Sequence, residues 1–250
     1  MLATSRRHGV DAPFSDANKR NGDKVEKTQP NTIGFLTALG DVRTGVVGGF
    51  LALNAVGRPV EFHCTAPVRP NRAQEILYGA TLEGFLYGEQ IAPALIGRTK
   101  LSLAVVLTNL PSMLTAASLV GVPLGLVFQH CSADESGDSE TPETSRYPVW
   151  NNSEKERNVD AVDQAKDRQT PFYSSLESAP FIPGVDYSTW REAVIGRNLL
   201  ALPVDFTAET TGKIAFDECV ARIEPFFRSI DSVEPFERIR LAVEEAQRAS

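Results

Sequence analysis

Two runs, "LSLAVVLTN" (101–109) and "PLGLVFQH" (123–130), constrain this chain more than any other feature in it. The first is apolar almost without a break, so it lacks the alternation of a strand with one wet face. It reads as a strand covered on both sides. Between the runs, "LPSMLTAASLVGV" (110–122) opens with Pro111 near a first helical turn and closes at Gly121, the usual asymmetry of helix ends. A buried strand, a helix and a second strand in that order imply parallel strands inside an α/β layer.

The chain leading into this unit has a different pattern. "TIGFLTAL" (32–39) and "VVGGFLALN" (46–54) are rich in branched and aromatic residues and read as strands. "AVGR" (55–58) is a turn, and "PVEFHCT" (59–65) is the returning strand. Side chains alternate along a strand, so Val60, Phe62 and Cys64 share one face and Glu61, His63 and Thr65 the other. The apolar set is expected to meet the core. The fold class that follows is α/β: an antiparallel hairpin leading into a mixed sheet with flanking helices.

Residues 71–97 carry Leu82, Phe85, Leu86, Ala92 and Ile96 on one helical stripe. Gly84, Gly88 and Pro93 interrupt it, which predicts two short helices with a break near Gly88. "DYSTWREAVIGRNLLALP" (186–203) reads as a helix or a docking segment. "AFDECVARIEPFFRSI" (215–230) and "VEPFERIRLAVEEAQRA" (233–249) are amphipathic helices expected to pack on one face of the sheet. Residues 1–30 are polar and are expected to be a disordered tail. The stretch 132–170 holds ten acids against five bases. It falls within an acidic insertion, 132–180, also expected to be disordered or to serve as a docking segment. A core domain over 31–131, completed by 181–250, is the resulting organisation.

The net charge of −7 and the pI near 5.1 argue against a nucleic-acid binder, which would need a basic surface. No apolar run approaches the ~18 residues of a membrane span. The N-terminal residues lack the apolar centre of a secretory signal. Three cysteines make no disulfide framework. The chain is expected to be cytoplasmic.

The densest collection of chemistry is "EFHCTAPVRPNRAQEILYG" (61–79). His63-Cys64 and His130-Cys131 offer four ligands for a tetrahedral zinc. Adjacent strand residues point to opposite faces, however, and the spacing lacks the close pairs of zinc sites. No metal and no cofactor is expected. Cys64 is a candidate nucleophile because Arg69 and Arg72 are near in sequence. Arg69, Arg72 and Asn71 are candidate ligand-binding residues. Arginine suits carboxylate or phosphate, and Asn71 could cap a helix whose N–H groups face an anion. The alternative is that these arginines pair with Glu61, Glu75 and Glu83 on a solvated face. Glu89 is the last candidate. On a continuous helix it falls on the apolar stripe and suits a general acid or base. In a helix that begins after Gly88 it only complements the helix dipole. Both readings stay open.

"YGEQIAPALIG" (87–97) followed by 101–128 resembles the core of the cytidine-deaminase-like fold. That family places H-x-E at one helix start and P-C-x-x-C at the next. Glu89 stands at the position of the proton-shuttling glutamate, and Pro111 at that of the proline. Tyr87, Ser112 and Thr115 stand where the zinc ligands would be. The resemblance therefore implies a scaffold without deamination. The function expected is a non-catalytic binding or regulatory module that meets a protein partner or a small anionic ligand. The alternative is a metal-independent enzyme using Glu89 as acid/base or Cys64 as nucleophile.

Overall fold

The computed structural model describes residues 32–41, 44–128, 173–208, 212–228 and 230–248. Strands β1 (Thr32–Asp41), β2 (Gly45–Asn54) and β3 (Pro59–Cys64) form an antiparallel meander. β4 (Leu103–Thr108) and β5 (Leu124–Phe128) run parallel to β1. β6 (Trp190–Ile195) and β7 (Asn198–Pro203) close the other side as a hairpin. The order across this seven-stranded sheet is β3-β2-β1-β4-β5-β7-β6. The expected α/β class, with a hairpin entering a mixed sheet, is the observed one.

β4 and β5 lie inside the sheet and are covered on both faces, which is why their sequences show no alternation. On one face Ile33, Phe35, Leu107, Val127 and Leu200 pack beneath α3 (Phe216–Phe227) and α4 (Glu234–Arg248). Phe35 meets Phe236 of α4 edge to face, with ring centroids 5.6 Å apart. The C-terminal helices thus occupy one face, as their amphipathic patterns require. On the other face Leu36, Phe50, Val106 and Leu126 meet Ile91, Leu95, Met113 and Trp190. Residues 173–187 also lie there, with Tyr173, Leu176 and Ile182 against the same cluster. The N-terminal tail and the rest of the acidic insertion lie outside the described residues.

Two neighbouring glycines set the spacing of these three layers. A β-carbon on Gly48 would overlap Ile91 and sit 2.9 Å from Leu95 Cδ1. One on Gly49 would overlap Ile239 of α4 and sit 3.3 Å from Val243 Cγ2. Because strand residues alternate, the pair opens room on each face in turn.

Three expectations need correction. Residues 190–203 are not helical. They form the β6–β7 hairpin, which turns at Gly196 with φ of 63°. β7 is an interior strand, so "NLLALP" has the unbroken apolar character that does not separate buried strand from helix. The second correction concerns residues 84–91. The chain does not break at Gly88 but continues as a π-helix, Gly84–Ile91, into α2 (Ala92–Ile96). Third, the helix between β4 and β5 is a 3₁₀ helix, Pro111–Ser118. Gly84 and Gly88 lie against Thr115 of that helix, and the Thr115 hydroxyl donates to the Gly84 carbonyl at 2.9 Å. A small second sheet of β8 (Asp205–Ala208) and β9 (Gly212–Ala215) leads into α3 and was not anticipated. Among the described residues no helix is long and apolar enough to cross a membrane.

Candidate functional site: the β3 margin

β3 is an edge strand, paired with β2 alone, and alternation sorts its side chains as the sequence requires. Cys64 packs against the cluster beneath α3 and α4. His63 turns to the opposite face and stacks on Phe50, with the rings 13° from parallel. Sulfur and imidazole therefore do not converge. Val60 and Phe62, expected to be core residues, are 49% and 37% exposed. α4 packs on β1 and β2, and the outer strand extends beyond that cover.

On the imidazole face Glu61 gathers the polar groups. Its Oε2 accepts a hydrogen bond from the Thr99 hydroxyl, which in turn accepts from the Leu101 N–H at 3.1 Å. Its Oε1 lies 2.8 Å from His63 Nε2. That nitrogen is sealed from solvent. The Thr99 hydroxyl holds the Glu61 carboxyl below its ordinary value of 4.5; burial opposes this and His63 adds to it. The cluster ties the edge strand to the loop that follows α2. A carboxyl group lowered on folding contributes stability above its unfolded pKa, and that contribution disappears as pH falls through the folded value. Glu61→Gln should therefore be less stable than wild type at neutral pH. The gap should shrink as pH drops below about 4.5, as urea unfolding across pH would measure.

The candidate ligand-binding residues occupy the next turn. Asn71 caps α1 (Arg72–Tyr78), its Oδ1 accepting from the Gln74 N–H, while Gln74 Oε1 accepts from the Asn71 N–H. This capping box occupies two of the N–H donors that an anion would need. Arg72 pairs with Glu75 at 2.8 Å on the helix surface. Arg69 is exposed beside Gly45, where the Val46–Val68 bridge carries the chain past the β1–β2 turn. Glu89 is exposed on the π-helix. The i→i+5 winding carries it off the stripe that an α-helix would have shared with Leu82. No described contact joins Glu89 to Arg69 or Arg72.

α1 itself buries no residue. Tyr78 at its end stacks on Phe85, with centroids 3.9 Å apart, and that contact anchors it. Ile76 and Leu77 remain 67% and 81% exposed.

Of the positions that carry the deaminase-like resemblance, Pro111 and Ser112 are buried at the start of the 3₁₀ helix. Thr115 spends its hydroxyl on the carbonyls of Gly84 and Ser112. His130 and Cys131 lie outside the described residues. Among the described residues no three of His, Cys, Asp and Glu stand close enough to share a metal. The sequence analysis missed Thr99, because it meets Glu61 only through the tertiary fold and no local pattern marks it. The exposed pair Ile76 and Leu77 was missed as well, although adjacent aliphatics in "RAQEILY" were a signal for it. No family model matches the chain, and no curated protein matches it.

Proposed function

We propose that this chain is a non-catalytic binding or regulatory module of the cytoplasm that engages a protein partner through α1 and the adjoining β3 margin. The observation that carries the reading is α1, a seven-residue helix that displays Ile76 and Leu77 and buries nothing. Isolated helices shorter than about 12 residues are marginal in water, so a capping box and one ring stack are slight support for it. Contiguous exposed apolar surface marks contact sites, and Ile76 and Leu77 are adjacent. The partner expected is a protein with an apolar cleft and an acidic rim, because Arg69 is exposed just ahead of the helix. A small anion is the weaker reading, since Asn71 and Arg72 are already engaged. The enzymatic alternative has less support: Glu89 faces solvent and Cys64 faces an apolar cluster. Resemblance of 87–128 to a deaminase-like core enters this proposal as a scaffold only.

The test places a photo-crosslinking residue at position 77 in the full chain expressed in cells, with position 177 as an exposed control. One discrete protein adduct should form at 77 and disappear with Ile76→Ser. Thermal stability of Ile76→Ser should stay within about 0.5 kcal/mol of wild type, as for other surface changes. An adduct pattern at 77 no different from that at 177 would end the reading.

A further inference from the structure

Six polar side chains are buried among the described residues: Thr37, Thr108, Asn109, Ser112, Asn198 and Ser232. The last two share one corner, where Asn198 Oδ1 accepts from the Ser232 N–H at 2.7 Å and Nδ2 donates to the carbonyls of Ile195 and Ile230. The Asn198 amide is thus fully paired. The other four stand around the carboxyl end of β4, where the 3₁₀ helix begins, with Thr37 beside it on β1 before that strand ends at Asp41. Thr108 is satisfied: its hydroxyl donates to the Met113 sulfur and accepts from the Leu110 N–H. Thr37 donates to Asn109 Oδ1 at 2.7 Å. Asn109 Nδ2, sealed from solvent, has no partner among the described residues. Leaving a buried amide unpaired is costly, and such groups call for a physical explanation.

The topology supplies one. β1 and β4 are adjacent and parallel. From its carboxyl end β1 turns toward β2, while β4 leads through the 3₁₀ helix to β5 on the opposite side. Neighbouring parallel strands whose exits diverge form a switch point, and open α/β sheets bind ligands outside the carboxyl ends there. The unpaired amide and most of the buried polar side chains coincide with that point.

We propose that the carboxyl end of β4, against the flank of β1, forms a binding site for a small ligand bearing a carbonyl-type oxygen, either an amide or a carboxylate, received by Asn109 Nδ2. Thr37 holds the far end of the amide, so the NH2 group is a donor fixed in one orientation. An sp² oxygen is the complementary acceptor. The site does not depend on α1 and stands whether or not a protein docks there.

The test uses the full chain labelled with ¹⁵N-asparagine. The Asn109 side-chain NH2 signals are assigned by their loss in Asn109→Leu or, should that variant not fold, by their displacement in Thr37→Val. Acetamide and acetate serve as probes, similar in shape and different in charge. The pair is sealed, so binding should be slow on the spectral timescale, with a second NH2 pair growing as the first fades. The probe that produces it identifies the ligand as neutral or anionic, and Thr37→Val should weaken its effect. An NH2 pair unmoved by both probes overturns the proposal. A cross-peak to bound water in that case identifies the amide's partner as a buried water only.

Discussion

Gly88→Ala is expected to destabilise the protein by about 3 kcal/mol, which lowers the melting temperature by roughly 6–12 °C. The sign makes this informative. Alanine in place of glycine inside a helix ordinarily gains about 1 kcal/mol from propensity alone. Here the added β-carbon overlaps the Thr115 hydroxyl and comes within 2.9 Å of Thr115 Cβ and 3.0 Å of the Ser112 carbonyl. Neither the β-carbon nor the backbone oxygen can rotate away. The two helices must separate, and the Thr115–Gly84 hydrogen bond goes with them. Thr115→Ala in the same chain removes the hydroxyl and should recover part of the loss. Thermal unfolding of the four chains of this cycle measures the coupling. A Gly88→Ala chain as stable as wild type would show that the π-helix and the 3₁₀ helix are not in close contact.

Gly49→Ala is expected to cost about 2–3 kcal/mol, again against the intrinsic trend. Alanine in a strand should gain roughly 0.5–1 kcal/mol over glycine. At position 49 the methyl group is directed into Ile239 of α4, which is sealed between helix and sheet. Ile239→Ala alone leaves a cavity and should cost about 2–5 kcal/mol. Combined with Gly49→Ala it should cost less than the sum, because each change relieves the other. Additive effects in denaturant unfolding would show that α4 does not rest on β2 at this point.

The sequence made the frame of the fold legible where burial is extreme or strictly periodic. "LAVVLT" and "LGLVF" have no wet face to encode, and the structure buries them from both sides. Alternation in "PVEFHC" placed Cys64 and His63 on opposite faces, as found. It did not reveal that this strand would lie at the edge of the sheet, where Val60 and Phe62 came out exposed. The π-helix was illegible because its winding accompanies a contact between Gly88 and Thr115, residues far apart in the chain. The β6–β7 hairpin was missed because β7 is an interior strand, where the period that marks a strand disappears. At the candidate site, the cap at Asn71 was readable from local spacing. The Glu61–Thr99 bond was not, since nothing near either residue specifies the other.

The pairing of β5 with β7 has a consequence for how this protein is made. During synthesis β5 leaves the ribosome well before its neighbour exists, and its outer hydrogen-bonding groups stay uncovered until the β6–β7 hairpin arrives. A nascent chain halted in that interval presents a bare apolar rim, the kind of surface that recruits chaperones or seeds aggregates. Final closure of the sheet must await translation of β6 and β7.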